Sequence, residues 1–476
     1  MKRCKIILML VIMIISFLPV SGQTASTMTL RECVETALKN NLNVQQSNLT
    51  AEQANINLHQ ARTNLLPDLN GSISHSSNTG RSIDPFTNSY VNQNYQSAGY
   101  GLNSNLVLFN GFRLINAIKQ NALALEASEL EAQQVKDNVT IDVILAYLTV
   151  LSNQDQLEQV QNQRELSRQQ VQRLTDMNEA GAIPPSDLSD LKGRLAGDEV
   201  AVVNARNSLN AAKLTLAQLM NIPYNPNLEI ERLNVEEFDL SYAGDVESIT
   251  RTAMEQLAMI KASELRKESA EKGVQVARGG LYPTLGLSGG ISTNYSSVAI
   301  RETYLNTVNE QSTAFVNVSG TQYPVIVPTD KYNREKITYG DQFKNNYRSS
   351  VSIGLQIPIL NSFQARNRVK LAKINRKNFE LLEQTTKIQL RQLIEQAWFN
   401  MTAARDRYTA TVDQVAAFSE SFNAAEVRFN AGASNSVEYL TVRTNLDQAK
   451  NNLIRARYDY VLRTRILDYY QGKPLW

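Results

Sequence analysis

Apolar positions in this chain keep helical spacing, then alternate, then return to helical spacing, and they do so twice. Leu30, Cys33, Val34, Ala37 and Leu38 follow a helical period behind Thr29 and Glu32, the two ends of a capping box. Val246, Ile249, Thr250, Ala253 and Met254 repeat that set, and helix is expected to run on to about Asn64 and Arg278. Pro67 and Pro283 mark a change to period two. Val351, Ile353, Leu355, Ile357 and Ile359 alternate with Ser350, Ser352, Gly354, Gln356 and Pro358. Leu285, Leu287 and Ile291 alternate with Gly286, Ser288, Gly290 and Ser292, and Leu102, Leu106 and Leu108 do so less cleanly. Alternation of this length suits a strand with lipid on one face and water on the other. It suits a half-buried strand of a soluble sheet equally well.

Beyond the strands lie two stretches without proline, Asn110 to about Glu179 and Asn361 to about Asn430, in which Gly111 is the one glycine. About 70 residues of helix make a rod of roughly 105 Å. Each rod ends in a turn, Ala180-Gly181-Ala182 or Ala431-Gly432-Ala433, and a shorter helix returns. On the return, Leu191, Leu195, Asp198, Val202, Ala205, Leu209, Ala212, Leu216 and Leu219 are spaced four and three residues apart. Val442, Leu446, Ala449, Leu453, Ala456, Tyr460, Arg463 and Leu467 keep the same spacing. That is a coiled-coil seam, read as packing between helices.

The repetition is residue by residue. Phe109–Pro223 aligns with Leu360–Pro474 at a constant shift of 251, and Thr29–Ser74 with Asp245–Gly290 at a shift of 216. The second copy therefore carries 35 extra residues between Gly290 and Tyr347. A unit this long is a duplicated half-structure rather than a solenoid repeat. The expected organisation is residues 1–22 as a signal peptide, 23–240 as a first structural repeat and 241–476 as a second, with a longer inter-strand loop at 293–346. Four strands per chain are too few for a barrel, since the smallest bacterial ones have about eight. Three copies would supply twelve. The inter-strand segments Ser77–Ser97 and Thr293–Asn346, rich in Asn, Ser, Thr and Tyr, are expected as loops outside the cell.

Composition narrows the class. Met1-Lys2-Arg3-Cys4-Lys5, the apolar run Ile6–Val20 and the small pair Ser21-Gly22 form a secretory signal, too short in its apolar part to span a bilayer. Cys4 precedes that run and Cys33 follows Leu30-Arg31-Glu32, so neither sits in a lipobox and no lipidation is expected. Cys33 is expected as a small core residue. Without residues 1–22 the chain holds 45 basic and 46 acidic residues, which asks for no nucleic-acid partner. No remaining stretch is a transmembrane helix, so an exported chain of this kind enters a membrane as a closed β-barrel.

The duplicated halves resemble the TolC family of outer-membrane efflux and secretion channels. The resemblance rests on Leu65-Leu66-Pro67-Asp68-Leu69 and Leu281-Tyr282-Pro283-Thr284-Leu285 leading into strands, on Leu108-Phe109-Asn110-Gly111-Phe112 and Ile359-Leu360-Asn361-Ser362-Phe363 opening the long helices, and on the two Ala-Gly-Ala tips. It covers Thr27 to Trp476. It implies a mainly α fold with inserted strands. Long helical hairpins would form a trimeric α-barrel tube, and four strands per chain a twelve-stranded outer-membrane β-barrel. It implies an outer-membrane protein of a Gram-negative bacterium that extends into the periplasm. The partners implied are two further copies, outer-membrane lipid, a periplasmic adaptor and, through the adaptor, an inner-membrane pump or ABC transporter. The expected role is a passive exit duct for small molecules. An outlet for type I protein secretion and a trimeric coiled-coil adhesin or scaffold are the alternatives. The adhesin predicts strands at one terminus and no duplication, unlike this chain.

The resemblance also assigns positions. The tips Ala180, Gly181, Ala182, Ala431, Gly432 and Ala433 would dock the adaptor, although glycine at a helix end has a purely conformational explanation. Asp187 and Glu438 open the return helices, where the helix dipole alone favours acids, and threefold repetition would make them acidic rings. Where the best-known family pattern has a gate tyrosine and arginine, this chain has Phe429 and Ser434. A hydrophobic constriction at Phe429 with an acidic ring at Glu438 is therefore expected. No catalytic set, cofactor motif or metal site is read. His59 and His75 are the two histidines, without a cysteine pair beside them, and neither a phosphate loop nor a nucleophile elbow occurs.

Overall fold

The computed structural model describes residues 27–83, 88–92, 94–181, 183–232, 242 and 244–473; the signal segment 1–22 lies outside them. The chain is mainly helical with strands inserted in each half. In the first half α1 (Leu30–Asn40), α2 (Leu42–Thr63), β1 (Asn70–Asn78), β2 (Arg81–Ile83), β3 (Tyr90–Asn92), β4 (Tyr95–Phe109), α3 (Arg113–Glu179) and α4 (Pro185–Leu219) follow in order. The second half has α5 (Val246–Gln256), α6 (Ala258–Gly279), β5 (Thr284–Ser296), β6 (Ile300–Val318), β7 (Thr321–Lys336), α7 (Tyr339–Asn345), β8 (Arg348–Gln356), α8 (Gln364–Asn430) and α9 (Ser436–Tyr470). The long helices begin and end 251 residues apart, as do the return helices, and α1, α2 match α5, α6 at 216.

Each half opens on a capped helix. The Thr29 N–H donates to Glu32 Oε2 at 2.9 Å and the Glu32 N–H to Thr29 Oγ1 at 3.1 Å, while Asp245 and Ser248 do the same for α5. The first helix does not run unbroken to Asn64 or Arg278. Asn41 and Leu257 take extended backbone and split it. At Asn41 the cause is local: its carboxamide oxygen accepts the N–H groups of Asn43 and Val44 at 2.9 and 3.3 Å and so starts a new helix.

The chain divides into two compact units. One gathers the residues up to Ala54, Leu123–Lys267 and Asn378 onward. Its core has two parts. Tyr147, Val150, Leu151, Leu216 and Met220 pack with α1 through Cys33, Val34 and Ala37. Ile249, Ile260, Leu390, Ile394, Met401 and Leu467 form the counterpart in the second half. Burial pushes the Cys33 thiol up to about 12, which makes it an inert core residue.

The other unit, Asn55–Ala122 with Glu268–Lys377, holds an antiparallel sheet in the order β1-β4-β5-β8. Register pairs Leu287 with Leu106 and Ile353, Ile291 with Leu102, and Tyr100 with Ile73, so one face is apolar. The other carries Ser72, Ser74, Asn103, Ser288 and Ser352, with the Ser288 and Ser352 hydroxyls 2.7 Å apart. Segment 293–346 is not a plain loop. It holds the end of β5, the long β6–β7 hairpin and α7. Alternation with aromatic and β-branched residues favours strands there. Ser319 and Gly320 both have positive φ, as a tight two-residue hairpin turn requires. In the first half a shorter β2–β3 hairpin stands at the corresponding place.

Candidate functional site at the hairpin tips

At the end of α3 the Ala180 N–H donates to Asp176 O and the Gly181 N–H to Asn178 O; at the end of α8, Ala431 reaches Val427 O and Gly432 reaches Phe429 O. Gly181 and Gly432 both have φ of 71°, with open space where a Cβ would stand. The turns thus need glycine for backbone conformation, not for close packing. Ala180, Gly181, Ala431, Gly432 and Ala433 are all exposed, and Ala182 lies outside the described residues. The return helices are started differently. Pro184 and Pro185 open α4, with an Asn178 Nδ2 to Ile183 O bond across the turn, whereas Asn435 caps α9 by accepting the Glu438 N–H at 2.9 Å.

Asp187, Phe429, Gly432 and Ser434, distant in sequence, line one cleft of about 230 Å³ together with Gln170 and Arg173. Phe429 does not stand free. It stacks on the buried Tyr439 ring at 4.6 Å between centroids and packs on Leu174, Leu188 and Leu191. Glu438 is directed elsewhere and pairs with Arg428 at 2.6 Å. Arg173 reaches across to the Asn430 carboxamide at 2.6 Å. The Ser436 hydroxyl lies 3.2 Å from Asp187 and 3.3 Å from Asp190, joining α9 to α4.

Further along the hairpins is a charged cluster that the sequence reading passed over. Arg194 holds Asp198 at 3.1 Å and Asp447 at 2.7 Å. Arg443, buried almost completely, donates to Gln163 O at 2.8 Å and Ser167 Oγ at 2.9 Å, with Asp447 3.8 Å away. The Ser167 hydroxyl in turn bonds Asp198. Two cations balance two anions across α3, α4 and α9. Burial pushes the Asp447 carboxyl above the ordinary carboxylate range, and the Arg443 and Arg194 guanidinium groups offset part of that. The signal was present: Asp198 interrupts an otherwise apolar seam. A charge at such a position needs a buried partner, but sequence does not say which.

His59 lies on α2 and His75 on β1. Among the described residues no three His, Cys, Asp or Glu side chains cluster as metal ligands would. No described helix is long and apolar enough to cross a membrane.

A family model described as outer membrane efflux protein matches residues 33–221 and 250–468. Outer membrane protein TolC of Escherichia coli is 23% identical over 375 residues, which are 78% of this chain and 68% of that protein. Outer membrane efflux protein BepC of Brucella suis is 21% identical over 467 residues, 97% of this chain and 89% of that protein. Among solved structures, the CmeC outer membrane channel of Campylobacter jejuni has a TM-score of 0.72 at 18% identity, covering 93% of this chain and 85% of its own. The open state of the MtrE outer membrane channel of Neisseria gonorrhoeae has a TM-score of 0.65 at 16% identity, covering 93% and 88%. At these identities the structures speak to fold.

Proposed function

Because the chain belongs to the outer membrane efflux protein family, we propose that three copies assemble into a passive exit duct, fed through a periplasmic adaptor by an inner-membrane pump. The observation that carries this reading is what the single chain leaves uncovered. On α8, Leu381, Leu382, Ile388, Leu393 and Phe399 are all exposed. On α2, Leu42, Leu49 and Ile56 recur every seven residues and are exposed too. An apolar row at heptad spacing on α2, and an exposed apolar face on α8, call for neighbouring helices. The sheet makes the same demand independently. Its edge strands β1 and β8 are each nine residues long, with no strand on their outer edges among the described residues and an apolar face beside them. Four antiparallel strands leave edges of opposite direction, so β8 of one copy fits β1 of the next, and three copies close a twelve-stranded barrel.

In this reading the tips Ala180, Gly181, Ala182, Ala431, Gly432 and Ala433 meet the adaptor, and the tip cleft sets the narrowest point. Asp187 and Ser434 line that cleft, and Phe429 closes its wall. Glu438 serves by holding Arg428 rather than as a bare anion. The duct performs no catalytic step and holds no cofactor or metal; energy enters from the pump.

The decisive experiment is light scattering of the detergent-purified protein, beside the variant Ile388→Lys. Three subunits in the parent and one folded subunit in the variant are expected, with conductance in planar bilayers lost in the variant. A parent that stays monomeric and non-conducting defeats the duct. A strain lacking the gene should become more susceptible to toxic small molecules; unchanged susceptibility with loss of a secreted protein would favour protein export instead.

A further inference from the structure

The sheet carries two concavities, one on each face, and they differ in chemistry. The one on the polar face, about 610 Å³, is lined by Ser72, Ser74, Asn103, Asn294, Asn346 and Arg348. The one on the apolar face, about 500 Å³, is lined by Ile73, Tyr100, Leu102, Ile291, Phe343 and Tyr347 with backbone of β1, β4 and β5, and no Lys, Arg, Asp or Glu. Its upper wall is α7, which lies in the segment between Gly290 and Tyr347 where the second half is longer; no helix stands among the described residues at the corresponding place in the first half.

That wall is built, not draped. The Gln342 side chain is buried, donates to Ser296 O and Ile337 O at 2.9 and 3.0 Å, and accepts the Ser296 N–H at 2.8 Å. Thr293 Oγ1 donates to Phe343 O at 2.8 Å, and Asn346 Nδ2 to Asn294 O at 2.7 Å. Thr338 caps the helix through the Asp341 N–H. Phe343 meets the Tyr100 ring edge to face at 5.6 Å, Tyr339 lies 4.6 Å from Tyr295, and the Tyr100 and Tyr339 hydroxyls bond each other. Five aromatic rings, with Tyr347, gather at one end of the sheet. It is the end remote from Phe109, where β4 leads into α3. Such a girdle marks a membrane–water boundary on a barrel.

We propose that this groove binds an acyl chain of an outer-leaflet lipid, one per copy, under the aromatic roof of α7. The inference rests on the barrel reading, in which the apolar face meets lipid. The groove is continuous with that face, since Leu287 and Ile353 extend it along β5 and β8. The lining offers a charged solute no counter-ion and is mostly apolar, whereas the opposite concavity carries Arg348 and several carboxamides. Its volume falls within the range of about 300–1,000 Å³ usual for specific ligand sites, so it holds a chain segment rather than a single methyl. That segment would lie against a wall fixed through side-chain hydrogen bonds.

The test is native mass spectrometry of the purified full-length assembly, delipidated in detergent and titrated with lipid A. The wild type is expected to retain three lipid A molecules per trimer. Ile73→Trp, which fills the groove from an exposed position, should lower retention at least tenfold. Ile353→Trp, on the same face outside the groove, should leave it unchanged. If Ile73→Trp does not assemble, Phe343→Ala removes the opposite wall and carries the same expectation. Equal retention by wild type and both groove variants overturns the site while leaving the barrel intact. Loss of the trimer in both groove variants also overturns it and identifies a neighbouring copy as the occupant. A wild type that neither assembles nor inserts into vesicles defeats the barrel reading instead.

Discussion

The two long helices have the same length and begin 251 residues apart, yet α3 buries seventeen side chains within its own chain and α8 only eight. Tyr147 on α3 is fully buried with its hydroxyl 2.6 Å from Glu231 O, while Trp398, its counterpart on α8, is half-buried beside Tyr242. Duplication preserved backbone spacing and let burial diverge. One copy turned its apolar positions into the chain's own core, and the other left a row of them exposed. The charges diverged as well. Arg194 and Asp198 face Asn445 and Ala449 across the repeat, while Arg443 and Asp447 face Lys192 and Ala196. The buried cluster is therefore assembled half from each copy and exists once, not twice.

The sharpest way to break this comparison is to truncate both aromatic counterparts. Tyr147→Ala should cost about 3–5 kcal/mol of stability, as large core truncations do. Trp398→Ala should cost less than half of that in the isolated chain, and chemical denaturation of the monomer measures both. Equal losses would mean that the two helices are buried alike.

Next come the charges. Arg443→Met strips Asp447 of a buried cation and Ser167 of a donor, and should destabilise by about 3–5 kcal/mol. Lys192→Met, at the exposed counterpart, should change stability by less than about 0.5 kcal/mol. A double variant with Asp447→Leu should recover part of the loss, because it removes the stranded anion; no recovery would show that Arg443 acts through packing.

A smaller effect separates Glu383 on α8 from Ala132, its counterpart on α3. Burial raises the Glu383 carboxyl, but Lys267 and Lys387, at 2.8 and 2.7 Å, outweigh it and hold the group below the usual glutamate range. A folded-state pKa below the unfolded one means that the carboxylate adds stability above its ordinary titration range, and that this is lost as pH falls through the lowered value. Thermal melts from about pH 7 down to about pH 3 should lose less stability in Glu383→Gln than in the parent. A steeper acid limb in the variant would refute the assignment.

The smallest effect concerns the tips, where the halves should agree. Gly181→Ala and Gly432→Ala each place a Cβ at positive φ in open space and should each cost about 1 kcal/mol. A difference of more than that between them would expose a packing role at one tip.

The sequence by itself determined the long helices and their returns, the duplication and its 251-residue shift, the capping box at Thr29, the four-stranded segment and the glycine turns. These follow from local rules: period, capping chemistry and backbone conformation are set by residues a few positions apart. It also placed Asp187, Phe429, Gly432 and Ser434 at the tips. Only the tertiary structure decided that these four share a cleft, that Phe429 stacks on Tyr439 and that Glu438 is bound to Arg428. It likewise broke the first helix at Asn41 and ordered 293–346 into a hairpin and α7, over an apolar groove. The partners of Arg443 come from helices hundreds of residues apart in sequence, at Gln163, Ser167 and Asp447. Periodicity tells which side of a helix is buried, whereas the identity of what covers it depends on rotation and register between helices, and these are settled only when the helices pack.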